Sequence, residues 1–396
     1  MAGPVPNARS RRIEESVTLA IMAKAQRYKA AGKNVVSLAA GEPDFPTPGP
    51  IADAGIAAIQ QGRTRYTATS GVPELRQAGA LWFRTAYGID FAPEEVMACA
   101  GAKAALHMAL HTVVEKNDNI LILAPYWVSY PALVTLADGN PIVLPAVPDE
   151  GFVHGAAAID AAFRQHQARG ILINYPNNPS GAVPARTQVQ AIVDVAKAHD
   201  AWILSDEIYG SLLYDGAEHV SAASLPGGRE RTIVVNGFTK SHTLTGWRIS
   251  FLAAPRPVIE AAGRLQSQAL GNPCTISQEA AIAACKQPLT SELERRMQAF
   301  DGRRRYLVDE INKIPGLQLQ APKGAFYALV DVRALCKRLV CDDVAIAERL
   351  LEEQLLAVVP GTAFAIPGFI RLSYAASMDD LRAAVIRLRT FAAGVA

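Results

Sequence analysis

Several things are scarce or missing in this chain. No run of apolar residues approaches the ~20 that a membrane-spanning helix needs; the longest are strand-sized. The first residues, MAGPVPNARSRRIEES, lack the apolar centre of a signal peptide, and two early glutamates argue against a transit peptide despite the arginines. Cysteine is sparse: Cys99, Cys274, Cys285, Cys336 and Cys341 are odd in number and contain no CxxC pair. Most of them read as small hydrophobes in a reducing compartment. Neither sign of charge dominates, since 39 basic against 37 acidic residues leave a formal +2, without a basic stripe for nucleic acid or an acidic tail. Internal repeats, low-complexity segments, GxGxxG, P-loop, GxSxG and HExxH motifs are also missing. His107 and His111 have helical i,i+4 spacing but no third ligand, so no metal site is expected. These absences leave a soluble, cytoplasmic globular protein as the expectation. At 396 residues and 50% hydrophobic, the chain has material for one large or two moderate cores.

What is present is an alternation. Strand-like apolar runs occur at Val96–Cys99, Asn119–Ala124, Pro141–Pro145, Gly170–Asn174, Ala201–Ser205, Thr232–Asn236 and Ile249–Ala253, with helical patterns between most of them. Near-continuous apolar strands alternating with helices predict an α/β fold, a mostly parallel sheet covered on both faces. Before it, a helix over Val17–Ala31 and a strand over Asn34–Leu38 lead into the irregular loop AAGEPDFPTP, followed by helices Pro50–Gln61 and Pro73–Tyr87. After Ala254 long helices dominate, with short strands expected at Leu317–Leu319, Ala325–Leu329, Ala357–Val359 and Phe369–Ser373. A large domain over 48–285 and a smaller α+β domain made of 1–47 and 286–396 are expected.

Ligands of such sheets bind beyond the carboxyl ends of the strands, and polar residues collect at these ends. Lys240, in a polar turn between two strands with Arg248 nearby, reads either as a surface lysine or as an amine made nucleophilic by burial and a neighbouring cation. Asp206, in SDEIY at the end of AWILS, is costly there unless it meets a cation such as a protonated pyridine nitrogen or a metal. Gly101-Ala102-Lys103 is either a plain strand-to-helix turn or a phosphate cradle of backbone N–H groups. Tyr126-Trp127 reads as core aromatics or as a stacking surface for a planar ring. NYPNNPSG holds Asn178 among rigid neighbours, as a turn or as a hydrogen-bond donor to a phenolate-like oxygen or carboxylate. Arg371, within the apolar strand FIRLSY, is a surface ion-pair partner or a bidentate clamp for a carboxylate.

In this order the motifs SLAAGEPDF, APYWVSYP, NYPNNPSG, SDEIY, TKSHTLTGWRIS and IRLSY resemble the fold-type I, class I pyridoxal-phosphate aminotransferases, from about Ser16 to Arg389. The nearest likeness is to bacterial aspartate aminotransferases of the branch with a lysine in the phosphate-binding turn. The resemblance implies a mostly parallel seven-stranded sheet, pyridoxal 5'-phosphate as cofactor, and a homodimer. It makes Lys240 the residue that joins the cofactor as a Schiff base and then shuttles the substrate proton. Asp206 would pair with the pyridinium nitrogen, and Tyr209 and Asn178 would bond the cofactor's 3'-oxygen. Trp127 would stack on the ring; Gly101, Ala102, Lys103 and Arg248 would hold the phosphate, joined by Tyr66 from the other subunit. Arg371 would grip the substrate α-carboxylate with Asn178 and the backbone at Gly41, and Trp127 would also contact the substrate.

For specificity, Lys103 matches the position associated with the distal carboxylate of aspartate or glutamate, and Ser16 and Thr18 match hydroxyls on a closing N-terminal segment. Two positions depart from the pattern. Gly237 stands where many members have a phosphate-binding serine. Glu14 stands where relatives that accept prephenate carry a basic residue. The implied activity is a ping-pong aspartate:2-oxoglutarate transamination. Alternatives on the same cofactor are an aromatic, alanine-like or specialised biosynthetic amino acid, or β-elimination or decarboxylation. A non-catalytic pyridoxal-phosphate-binding regulator would need a DNA-binding domain, and only about 15 residues precede the resemblance, too few for a helix-turn-helix. No nucleic-acid or membrane partner is expected.

Overall fold

A computed structural model of the chain describes residues 3–13, 15, 17–287 and 289–394; Glu14 and Ser16 lie outside the described residues. Thirteen strands follow in chain order: β1 Val36–Ser37, β2 Val96–Cys99, β3 Asn119–Leu123, β4 Asn140–Leu144, β5 Gly170–Asn174, β6 Trp202–Asp206, β7 Thr232–Asn236, β8 Ser250–Ala253, β9 Gln318–Leu319, β10 Tyr327–Asp331, β11 Leu356–Ala357, β12 Val359–Pro360 and β13 Phe369–Ser373.

Seven of them form one sheet in the order β2-β8-β7-β6-β5-β3-β4. Neighbours from β7 through β4 run parallel, while β8 is antiparallel to both β7 and β2. The α/β expectation therefore holds, with one reversed strand. Its strands are apolar on both faces because both faces are covered. In β5, Ile171 and Ile173 join the core under helices Ala156–His166 and Arg186–Ala198, whereas Leu172 points to the opposite core with helix Ala102–Val113. Alternation by two survives within a run that has no polar residue to mark it.

A four-stranded antiparallel sheet, β12-β13-β10-β9, forms a second layer with helices Thr290–Ile311, Asp343–Gln354 and Met378–Ala393. The short parallel pair β1–β11 brings the N-terminal segment to this C-terminal part. Two strand expectations need correction here. The run expected as one strand at Ala357–Val359 is divided: Leu356–Ala357 pairs with β1, and Val359–Pro360 turns to pair with β13. The strand expected at Ala325–Leu329 begins later, at Tyr327, because Ala325 takes a left-handed backbone with φ 58° and ends a turn.

Asp343, at the start of helix Asp343–Gln354, is fully buried and accepts three hydrogen bonds: from Thr362 N at 2.7 Å, Thr362 Oγ1 at 2.8 Å and Gly368 N at 3.1 Å. These bonds fix the loop between β12 and β13, and so the strand that carries Arg371. Asp343→Ala strands three interior donors and is expected to lower the unfolding free energy by roughly 3 kcal/mol. The neighbouring cap residue, Asp342, accepts from Ala345 N, and Asp342→Ala should cost about 1 kcal/mol. Urea midpoints of the two variants check this; an unchanged midpoint for Asp343→Ala overturns it.

Candidate active site

Because six strands of the large sheet run one way, their carboxyl ends deliver the Gly101, Trp127, Asn174, Asp206 and Lys240 segments to one edge. The reversed β8 brings Arg248, just before its start, to the same edge. A cavity of about 290 Å³ lies there, lined by Thr18, Gly41, Ala102, Lys103, Trp127, Asn178, Asp206, Tyr209, Lys240, Arg248 and Arg371 among others. Most of the sequence-predicted site thus converges. Gly101 does not line it directly; its backbone takes φ 88°, and a Cβ there would run into the Arg248 guanidinium. Tyr66 is not brought to the cavity within one chain: its side chain is 98% exposed. Ser16 lies outside the described residues.

Lys240 Nζ donates to Gly41 O at 2.6 Å. Burial lowers its pKa to about 8; Glu42 and Asp206 act against this shift, while Arg371 and Arg248 add to it. The loop that presents Gly41 is clamped from two sides. Arg303 makes a bidentate pair with Asp44 at 2.7 and 2.7 Å, and Trp247 Nε1 donates to Thr47 Oγ1 at 2.9 Å. At Gly237, a Cβ would sit 3.2 Å from Ser250 Cα, so a serine there would push β8 away.

Asp206 closes β6 rather than following it, paired in register with Asn174 and Val235. Its Oδ2 accepts from Tyr130 Oη at 2.8 Å, and its Oδ1 from Ile208 N at 3.3 Å. Burial raises its pKa to about 6, against the effect of those two bonds and of Lys240. Asn174 donates to Asp206 O at 2.8 Å and accepts from Asn178 N at 2.9 Å. Asn177 braces the same loop by accepting from Ser180 N and Oγ and donating to Pro125 O.

Arg371 is 2% exposed. Its Nη1 donates to Asn178 Oδ1 at 3.0 Å and its Nη2 to Ala39 O at 2.7 Å, while Nε has no partner. No carboxylate contacts this buried guanidinium among the described residues, so the surface ion-pair reading fails. Lys103 Nζ stands 5.0 Å from the centre of the Trp127 ring, and burial and then Arg248 lower its pKa. Arg248 holds a left-handed backbone, φ 52°, with Nη1 donating to Thr245 O at 2.8 Å. Thr18 Oγ1 is buried against the cavity without a partner.

Sequence reasoning missed Tyr130, Asn174, Thr239 and Tyr327, all of which line the cavity. Tyr130 carried a signal: a tyrosine at the apolar start of helix Tyr130–Leu136 needs a partner for its hydroxyl. Tyr327 becomes visible only through the register of β10 against β13.

The raised pKa of Asp206 has a consequence for the protein stripped of small ligands. An acid whose pKa is higher folded than unfolded favours the fold at low pH and loses that contribution as pH rises through about 6. A shift of roughly two units is worth ~3 kcal/mol. Asp206→Asn in the ligand-free protein should therefore be more stable than wild type by ~2–3 kcal/mol above pH 7, with the gap small near pH 4. Urea unfolding at the two pH values measures it, and a gap independent of pH overturns it.

Comparison with known proteins agrees with this geometry. Residues 33–388 match the family model "Aminotransferase class I and II". The chain is 40% identical over 378 residues to an aspartate aminotransferase of Geobacillus stearothermophilus, covering 95% of this chain and 96% of that protein. It is 38% identical over 392 residues to an aspartate/prephenate aminotransferase of Cereibacter sphaeroides, covering 97% of this chain and 98% of that one. Its fold superposes with a TM-score of 0.93 on the aspartate aminotransferase of Thermus thermophilus solved with maleate, at 38% identity, covering 98% of this chain and all of that one. With the cavity residues gathered at the carboxyl edge of the sheet, the chain belongs to the class I and II aminotransferases, which are pyridoxal-phosphate-dependent enzymes.

Proposed function

We propose that the chain exchanges amino groups between aspartate and 2-oxoglutarate in a ping-pong cycle, and that it belongs to the branch with a lysine in the phosphate-binding turn. The observation that carries the reading is Arg371, a buried cation with an unpaired Nε and no acid beside it. Such a group is stable when a ligand carboxylate completes it. Lys103, with no ion pair among the described residues, is placed to receive a second carboxylate.

The side chains also fit pyridoxal phosphate. Asp206 is a buried carboxylate without a contacting cation among the described residues, suited to a protonated ring nitrogen. Helix Ala102–Val113 opens at the cavity, where the N–H groups of its first turn, joined by Arg248, suit a phosphate. Trp127 offers a ring face, and Asn178 and Tyr209 offer polar contacts for a ring oxygen.

When bound, the cofactor supplies a carbonyl for the amino group and an electron-withdrawing ring. The chain does the rest. Lys240 Nζ, made a weaker base by burial, takes the proton from the substrate Cα and returns it. Asp206 keeps the ring nitrogen protonated. Arg371, with Asn178 and Gly41, orients the α-carboxylate, and Thr18 with Ser16 closes over the substrate. We further infer a homodimer in which Tyr66 of one chain reaches the phosphate in the other; a tyrosine 98% exposed, a few residues after a helix that exposes Ile56 and Ile59, supports this. A division into a large domain, 48–285, and a small one, 1–47 with 286–396, accords with the seven-stranded sheet lying inside the first and the two smaller sheets inside the second. Some relatives are named aspartate/prephenate aminotransferases; an acid at position 14 opposes a second carboxylate of that kind.

The purified protein should show the visible absorbance of bound pyridoxal phosphate, and Lys240→Ala should lose turnover by about a thousandfold or more. In an amino-donor screen aspartate should discharge that band far faster than alanine. Lys103→Met should raise the KM for aspartate by about tenfold and leave alanine unaffected. Equal rates with aspartate and alanine sink the dicarboxylate assignment, and full turnover by Lys240→Ala sinks the mechanism. Sedimentation should give a dimer; a monomer at assay concentration removes the role of Tyr66.

A further inference from the structure

We propose that Tyr327 is a positioning residue that sets two groups of the site at once, its hydroxyl orienting Tyr209 and its ring supporting Arg371. The inference rests on the aminotransferase reading above. In the β10–β13 register, Leu329 faces Arg371 and Tyr327 faces Ser373. Tyr327 and Arg371 are therefore diagonal neighbours on one face of the strand pair. The guanidinium lies 4.6 Å from the centre of the Tyr327 ring, with Phe364 at 4.9 Å as a second ring partner. A buried guanidinium without a carboxylate gains both attraction and orientation from such a face.

At its other end, Tyr327 Oη lies 2.8 Å from Tyr209 Oη. A phenol has one proton. If Tyr209 donates that proton to an oxygen of the ligand, it must accept the proton of Tyr327, which fixes the direction of the pair. Tyr327 then donates to Tyr209, and Tyr209 donates into the cavity; in a chain of this kind each bond polarises the next. Burial keeps both phenols protonated and so available as donors. The charged and titratable groups around the pair are Asp206, Tyr130, Lys240 and Arg371. Tyr327 also packs against Gly41, where a Cβ would collide with its hydroxyl, and Gly41 carries the carbonyl that holds Lys240.

The test uses the full-length holoenzyme and two variants. Tyr327→Phe keeps the ring under Arg371 and removes only the donor. Tyr327→Leu removes both. With Tyr327→Phe, the pH midpoint of the cofactor's visible absorbance, read without substrate, should rise by about half a unit, ~3-fold in proton affinity, because Tyr209 becomes the weaker donor. The KM for aspartate should change less than about twofold. Tyr327→Leu should show the same midpoint shift and in addition a KM raised about tenfold, since its ring support is worth roughly 1–2 kcal/mol. Fluorescence titration of the cofactor-free chain with pyridoxal phosphate gives a readout apart from turnover, and both variants should bind several-fold more weakly. A wild-type midpoint in Tyr327→Phe overturns the proposal. So does an equal rise of KM in both variants, which would mark a packing role only. If Tyr327→Leu does not fold, the spectrum of Tyr327→Phe decides alone. Failure of the underlying reading looks different, since wild type itself would then lack the visible band.

Discussion

Three charged side chains, Lys240, Asp206 and Arg371, are withdrawn from water around one small cavity, and none is neutralised by an ion pair at contact distance among the described residues. In a protein interior such charges are each expensive unless paired. The chain supplies neutral partners instead: a tyrosine hydroxyl for Asp206, a carbonyl for Lys240, an amide oxygen and a carbonyl for Arg371. These hold the groups in place without satisfying them. The remaining compensation has to come from a bound molecule that is cationic at one end, anionic at others, and reactive toward an amine. This incomplete electrostatic pairing is what most of the architecture serves.

The architecture does so by chain direction. Six strands running one way place five separate segments at one sheet edge, although those segments are spread over some 140 residues of sequence. A purely parallel sheet would have carried Arg248 to the far end of its strand. Reversing β8 brings it back against Gly101, where the lack of a side chain leaves room for the guanidinium. The second sheet contributes only one charged group, Arg371, but anchors it through Asp343, the β10–β13 register and the rings of Tyr327 and Phe364. The site is thus assembled between two rigid sheets, with the Gly41 loop clamped between them by Arg303 and Asp44.

Much of this was legible in the sequence for a physical reason. Strands apolar on both faces carry few polar interruptions, so the polar segments that follow them mark the edge of the sheet. Lys240, Asp206, Asn178 and the Gly101 turn were all found in such segments, and the helix limits Pro73–Tyr87 matched the structure because Pro73 opens the helix and the left-handed Gly88 follows its end. What could not be read were features that depend on register between distant segments. Tyr327 meets Tyr209 across 118 residues and Tyr130 meets Asp206 across 76. The 356–360 run looks like a single strand, and only its two different neighbours divide it. At Asp343, nothing local announces three donors arriving from the loop after β12.

The near-balanced net charge, +2, conceals a strong local asymmetry. Among the described residues lining the cavity, Lys103, Lys240, Arg248 and Arg371 face a single acid, Asp206. A concave, partly buried surface focuses such a field and raises the local concentration of multivalent anions. Phosphate and two carboxylates can each find a cation there, and they need not compete for the same one. Lys103 and Arg248 sit close enough for the arginine to lower the lysine's proton affinity, so an anion bound to one changes the other. Occupation of the phosphate side by an anion would relieve that repulsion. The coupling follows from placing two like charges, carried by separate segments, side by side at one sheet edge.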